Sequence, residues 1–308
     1  MSNVETRPLL CDIIRKNVVL HKGDDMRITT RRNFIRLAGI GIAATSLSPV
    51  IEASPKSRKA KAKKDQKRLK LGMASYTFRK FNLEDTLAMT KRLGLQRIAF
   101  KSFHLPLEST EDEIKAVAEK VKAAGLELYG CGVVYMQNKE EVHRAFMYAR
   151  AAGIKVIIGV PNPDILDLVN KKVQETNIIL AIHNHGPDDK LYPTPESAYK
   201  KIKNLDPRMG LCIDIGHTQR AGVDPSESAE MFQDRLLDVH IKDVSAASRE
   251  GQTVEIGRGV IDIPKFLRTL LRINYKGAVS FEFEKDADDP LPGVAESVGY
   301  VRGVLSVI

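Results

Sequence analysis

The sequence predicts an eight-stranded β/α barrel, the (β/α)8 or TIM-barrel form of the α/β class. Three observations carry this. From Leu69 onward, short apolar runs alternate with amphipathic helical stretches, and eight such runs can be counted. They occupy about 240 residues, close to the ~250 typical of such a barrel. The first run is not followed by the Gly-x-Gly-x-x-Gly turn of a doubly wound dinucleotide-binding sheet, the alternative fold.

Strands are predicted over 69–77, 96–102, 126–134, 155–160, 178–185, 209–214, 236–242 and 278–284. Helices are predicted over 82–93, 110–124, 138–152, 164–175, 195–204, 225–234 and 262–273, with a closing helix near 293–306. In the second helix Ile114, Val117, Ala118, Val121 and Ala124 form the i, i+3, i+4, i+7 stripe that buries one face. Gly94, Gly125 and Gly153 each follow a helix just before the next strand, where a left-handed cap is wanted. Asp262 with Pro264 two residues later marks a helix start. No second domain is left to place.

The chain has 308 residues, 43% hydrophobic and 28% charged, with no Trp and only 6% aromatic residues, so its core must be aliphatic. The net charge of +9 is carried by the tail: Lys56–Lys70 holds nine basic residues and one acid, and the stretch after Lys70 is net −2. A nearly neutral barrel lacks the broad basic footprint of a phosphate-backbone binder, so no nucleic-acid partner is expected. Cys11, Cys131 and Cys212 form no CxxC. Cys131 and Cys212 lie in apolar runs and read as small buried residues.

Residues 1–53 read as an extension and an export signal, 54–68 as a basic linker, and 69–308 as the barrel. Arg31-Arg32, followed by Asn33-Phe34 and the moderately apolar 37–44, form a twin-arginine pattern whose apolar part is too short to span a ~30 Å bilayer core. A periplasmic or other extracytoplasmic location follows as an expectation, with no stable membrane span. Residues 1–25 precede the pattern, which makes Met26 a candidate start, and Ala53 could precede a cleaved bond.

Polar residues gather where a barrel does its chemistry, at the C-terminal strand ends. The fifth strand ends in His183-Asn184-His185, with both His on one face. The sixth ends in Asp214 and continues to His217. The seventh ends His240-Ile241-Lys242-Asp243, and the eighth ends Glu282-Phe283-Glu284. Singly, such residues cap helices or pair with neighbours. Four consecutive strands ending in imidazole or carboxylate instead converge on one point, a donor set suited to one divalent ion such as Mn²⁺, Zn²⁺, Co²⁺ or Fe²⁺. Lys101 and His104, after the second strand, are candidates to reach a sugar hydroxyl or carboxylate. Gly257-Arg258-Gly259 reads as a tight turn ahead of Asp262, and Asn162 and Tyr192 are loop candidates.

Ala181–His185, Cys212–His217, Val239–Asp243 and Ser280–Glu284 together resemble the xylose isomerase-like barrel superfamily, and within it the sugar phosphate isomerase/epimerase-like proteins. The resemblance covers 71–308 and is specific in the second half. It implies a metal held by Asp214, His240 and Glu282, which match the family's Asp, His and Glu ligands. His217 matches a His that contacts substrate or a second metal. Where many members have Glu this chain has His183, which keeps a ligand and removes a carboxylate. The related epimerases set two Glu as acid and base on opposite faces of an enediolate. Here Glu282 alone remains, and His185 or Lys242 are the candidates to replace the missing base. The apurinic endonucleases of the superfamily place extra Asp and His ligands where this chain, between Asp243 and Gly257, has no His.

The resemblance thus implies a sugar isomerase or epimerase working through a metal-bound enediolate on a small extracytoplasmic carbohydrate. The alternatives are β-elimination from a 3-keto-glycoside and a non-catalytic carbohydrate-binding barrel. Export argues against a phosphorylated sugar.

Overall fold

The structure, a computed structural model, describes residues 69–308. The twin-arginine pattern, Met26, Ala53, Cys11 and the basic linker lie outside the described residues. Strands and helices alternate: β1 Lys70–Ala74, α1 Leu83–Arg92, β2 Arg97–Phe100, α2 Glu111–Ala123, β3 Glu127–Met136, α3 Lys139–Ala151, β4 Val156–Pro161 and α4 Leu166–Thr176. There follow β5 Ile179–His183, α5 Pro195–Ile202, β6 Met209–Asp214, α6 Ile215–Arg220, α7 Pro225–Met231 and β7 Leu236–Ile241. A small hairpin, β8 Asp243–Val244 with β9 Thr253–Val254, precedes α8 Ile263–Arg272, β10 Ala278–Phe281 and α9 Leu291–Val307.

Strands β1 to β7 and β10 close into a parallel barrel, with β10 between β7 and β1. Its core has two parts. Ile114 and Val121 of α2 join Leu267 and Leu270 of α8, Val294 and Val301 of α9, and the outward strand residues in one aliphatic shell between barrel and helices. Inside the barrel lies a smaller set of mostly small side chains, including Ala99, Ala181, Cys212, Ala278 and Tyr129. Cys131 and Cys212 are free and buried, as the sequence implied. Among the described residues no helix is long and apolar enough to cross a membrane.

Local signals account for the element boundaries. Gly94, Gly125 and Gly153 take φ of +69°, +77° and +69°. Asp262 accepts from Lys265 N–H at 2.8 Å to start α8. The first strand is shorter than the predicted 69–77: the chain turns into a 3-10 helix at Ser75–Phe78. Two hydroxyls hold that turn. Ser75 Oγ accepts from Lys101 N–H at 2.8 Å, and Thr77 Oγ1 accepts from Phe283 N–H at 3.0 Å. Strands β5 and β10 end at His183 and Phe281, so His185, Glu282 and Glu284 stand just beyond the sheet. The residues after Asp214 form helix α6 and do not extend the strand, because Asp214 Oδ1 accepts from His217 N–H at 2.8 Å and caps it.

Candidate metal centre

Register brings the four strand ends together. Asp214 pairs with His240, His240 with Ser280, and His183 with Cys212. Side chains two apart share a face, so His183, Asp214, His240 and Glu282 all reach one spot at the C-terminal end of the barrel. One ligand atom from each lies within 4.8 Å of all the others, and all four residues are buried.

Their contacts fit a cation. His183 Nε2 stands 3.1 Å from His240 Nδ1 and 3.3 Å from Asp214 Oδ2, and His240 Nδ1 stands 3.1 Å from Glu282 Oε2. With ionised carboxylates, no placement of protons satisfies all three contacts. A proton on both nitrogens sets two N–H groups against each other, and leaving one bare sets its lone pair against a carboxylate. Asp214 Oδ2 is buried and has no aligned donor, although Lys242 Nζ is 2.9 Å away. The ammonium offsets the charge without an aligned N–H, and a metal ion would supply the partner this buried acceptor lacks. Two imidazoles and two carboxylates are a donor set for a first-row divalent ion.

Three of the four charge states suit the same role. Against its burial, Cys212 and Glu282 hold His240 well above the usual histidine range, a proton it would release on binding a metal. Burial and the neighbouring His185 hold His183 well below the usual histidine range, so its imidazole is neutral and free to donate a lone pair. Burial opposes ionisation of Asp214, but Lys242 and His217 outweigh it and keep the carboxylate charged. Glu282 is likewise held well below the usual range against its burial, by His240 and then Lys242. The Lys242 ammonium donates to Glu282 Oε2 at 2.8 Å and to Glu284 Oε2 at 3.0 Å.

A set of buried hydrogen bonds fixes these side chains. Asn184 Oδ1 accepts from Asp214 N–H at 3.1 Å while its amide donates to Thr218 Oγ1 at 3.1 Å. Thr218 in turn donates to the Asp214 carbonyl at 2.6 Å. Asn184 therefore ties the end of β5 to the end of β6, setting His183 against Asp214. Asp243, one residue past Lys242, accepts four backbone N–H groups: Val244 at 2.9 Å, Gly257 at 2.9 Å, Gly259 at 3.0 Å and Ile261 at 3.2 Å. The Gly257-Arg258-Gly259 turn is thus wrapped around an internal carboxylate. A Cβ at Gly259 would run into Asp243 Oδ1 and the Val244 carbonyl, so only glycine permits this approach.

Of the other predicted site residues, His185 and His217 stand at the cluster. The His185 ring lies 4.4 Å from that of His183, and the His217 ring 5.9 Å from it. His217 sits in the first turn of α6, and its Nδ1 accepts from Arg220 at 3.3 Å. Burial and His217 lower His185, leaving it a neutral base; Tyr135 Oη is 3.2 Å from its Nε2. Asp189 Oδ2 lies 3.2 Å from His185 Nδ1, off the hydrogen-bond axis. Lys101 bonds the Val133 carbonyl and lies 5.5 Å over the Tyr135 ring. Burial lowers its ammonium, and the charge of Glu282 opposes that.

The structure corrects the expectation for His104. Its Nδ1 meets Ser75 Oγ at 2.9 Å, and its Nε2 meets Thr86 Oγ1 at 2.9 Å and the Phe78 and Phe81 carbonyls at 3.2 Å. Both ring nitrogens are engaged within the fold, so His104 pins α1 to the turn after β1 and does not face a ligand. Tyr192 is fully buried and donates to the Pro161 carbonyl at 2.7 Å, and Asn162 accepts from Asp164 N–H at 3.2 Å. Both are structural. Asn184, Thr218, Asp243 and Tyr135 are site residues that the sequence reading did not single out.

The model of the xylose isomerase-like TIM barrel family matches residues 78–304. The chain belongs to this family. Rhizopine catabolism protein MocC of Rhizobium meliloti is 28% identical over 146 residues, 42% of this chain and 44% of that protein. Inosose dehydratase of Geobacillus kaustophilus (strain HTA426) is 28% identical over 145 residues, 42% of this chain and 45% of that one. Each match therefore spans under half the length of the curated relative. Solved structures of L-ribulose 3-epimerase (17% identity, TM-score 0.64, covering 78% of this chain and 95% of that one) and of IolI with a bound zinc atom (18%, 0.64, 77% and 98%) share the fold. So does 3-keto-D-glucoside 4-epimerase from E. coli (17%, 0.63, 77% and 100%). At these identities the structural likeness speaks to the barrel alone. The family member in hand places two His and two carboxylates where its strands converge.

Proposed function

We propose that this chain is a divalent-metal-dependent sugar isomerase or epimerase. The observation that carries the reading is the buried meeting of His183, Asp214, His240 and Glu282, with Asp214 Oδ2 left without an aligned donor. The zinc in IolI and the epimerases among the structural relatives support it. A divalent ion in this site would supply Lewis-acid polarisation of a substrate carbonyl and the adjacent hydroxyl.

The chain's own residues do the rest. Glu282, ionised and placed at the edge of the cluster, takes the proton from the carbon between those two oxygens. The Lys242 ammonium against Glu282 Oε2 keeps that carboxylate charged until it does so. Glu282 then holds that proton and can return it to carbon, while neutral His185, beside His183, is placed to relay the hydroxyl proton. Burial of the cluster excludes water from the reacting carbon. Return of the proton completes an isomerisation or epimerisation. Loss of a β-substituent would complete an elimination, and one observation favours keeping that second reading: the cluster holds two His, one Asp and only one Glu, so the second Glu that the related epimerases use as a base has no counterpart in it. The match to inosose dehydratase supports it too.

Export through Arg31-Arg32 belongs to the same reading, and a sugar outside the cytoplasm is expected to be free, oxidised or glycosidically linked. Both reactions begin with the same deprotonation, so one experiment tests them together. In heavy water the metal-loaded protein should exchange the proton next to the carbonyl of its ketose, aldose or 3-keto-glycoside substrate. Glu282→Gln keeps an oxygen and nearly the same volume but cannot act as a base, so exchange should fall by roughly 10²–10⁴-fold. Absence of exchange across all three substrate classes would remove the enzymatic reading in favour of a carbohydrate-binding barrel.

A further inference from the structure

Aromatic side chains that the chemistry above does not use stand exposed beside the site. Phe103 is 56% exposed and Tyr135 49%, in a chain that has few aromatic residues. Tyr135 is near the C-terminal end of β3, and its ring stacks on His185 with centroids 5.7 Å apart and planes within 23°. His185 lies in turn 4.4 Å from His183. Phe103 follows β2 and meets Tyr76, in the turn after β1, at 6.0 Å. Strands β1, β2 and β3 are neighbours in the barrel, so these rings line one side of its mouth while β5, β6, β7 and β10 supply the metal cluster on the other. Polar groups are interleaved: Lys101 Nζ lies 5.5 Å over Tyr135, and Arg79 lies 4.9 Å over Tyr76.

Exposed aromatic rings cost solvation unless something covers them, and grouped at the mouth of a polar site they mark a ligand surface. A sugar ring has an apolar C–H face edged by hydroxyls, which suits a flat ring flanked by hydrogen-bonding groups. We propose that Tyr135 and Phe103, backed by Tyr76, form a second binding subsite for a flat apolar ring face joined to the reacting sugar, so that the substrate is a glycoside and not a free monosaccharide. The proposal rests on the reading that the cluster acts on a sugar. Tyr135 is separated from His183 by no more than the two ring steps through His185. A ligand of two linked rings held at the cluster therefore reaches Tyr135, and its second ring covers the exposed face.

The test is calorimetric binding to the full chain of glucose, cellobiose and phenyl β-D-glucoside, with and without Mn²⁺. A two-ring ligand should bind at least about tenfold more tightly than glucose, equivalent to ~1.4 kcal/mol. Gain by cellobiose alone assigns a second sugar, and gain by phenyl glucoside alone assigns an aromatic aglycone. Phe103→Ala should lose most of the gain with glucose affinity unchanged, and Tyr135→Ala should lose it as well. Tyr135→Phe keeps the ring, gives up the hydroxyl contact with His185, and should retain the gain. Equal affinity for one and two rings, or a gain that survives the Phe103→Ala/Tyr135→Ala double variant, would overturn the subsite. Metal content of the same samples separates this from the underlying reading: protein that takes up no Mn²⁺ yet prefers two rings keeps the subsite and loses the metal chemistry.

Discussion

Replacing Asp243 should destabilise the barrel by an amount that follows from its four contacts. Its carboxylate accepts from the amides of Val244, Gly257, Gly259 and Ile261 at 2.9–3.2 Å. The Val244 and Ile261 bonds are buried, whereas those of the two glycines are partly open to water. In Asp243→Ala the glycine amides can be hydrated, but the two buried donors are left unpaired at ~1–3 kcal/mol each. The expected loss is thus about 4 kcal/mol, a large share of the ~5–15 kcal/mol by which domains are stable. Asp243→Asn keeps one acceptor oxygen and sets an NH2 group against two amides, so a loss of about 2 kcal/mol is expected. Urea unfolding followed by far-UV circular dichroism, with the m-value checked for a two-state transition, measures both. Hydrogen exchange at Val244 and Ile261 should accelerate in parallel. Loss of less than ~1 kcal/mol in Asp243→Ala, at unchanged m-value, would refute the cradle argument.

Two further outcomes follow. Burial raises the Asp238 carboxyl from 3.8 to about 7 despite the opposing charge of His240, and neither of its oxygens has a hydrogen-bond partner. Between those pH values the folded chain holds a proton that the unfolded chain has released. Stability from this group is therefore present at low pH and falls as pH rises through the window, by ~1.4 kcal/mol per unit. In metal-free protein, Asp238→Asn should gain on the wild type by roughly 3 kcal/mol between pH 5 and 8, and parallel profiles by denaturant unfolding would contradict this. For export, replacing Arg31 and Arg32 by Lys should hold the precursor in the cytoplasm, read by cell fractionation; an unchanged periplasmic amount would dismiss the signal.

Strand ends were the most legible part of the molecule. The bounds of β6 are legible because five apolar positions run up to Asp214, and the convergence of strand ends in a closed barrel brings His183, Asp214, His240 and Glu282 to one point. What the sequence concealed depends on contacts between distant segments. Nothing local distinguishes His104, bound by Ser75 and Thr86 from two other elements, from a histidine facing a ligand. The helical turn at His217 follows from Asp214 capping it, so the capping and ligand roles open to that residue are both compatible with the structure. Gly257-Arg258-Gly259 looked like a simple turn because its partner, Asp243, lies 14 residues before Gly257. Asn184, between two histidines, carried a signal that went unread: a polar residue on the opposite face of an apolar strand end must find a buried partner, here Asp214 and Thr218. In the αL positions after α4 and α8 the chain uses Asn177 (φ +57°) and Asn274 (φ +55°), the residue that tolerates it next best, whereas α1, α2 and α3 are followed by glycine.

The central claim is that four strand ends form one metal site, and metal content tests it most directly. Protein exposed to Mn²⁺, Co²⁺ or Zn²⁺ and then desalted should retain one ion per chain by mass spectrometry of the metal. The Asp214→Ala/His240→Ala variant should retain none while keeping its helical circular dichroism. Wild-type protein that takes up none of the three ions, or a folded double variant that binds as much as the wild type, would contradict the account.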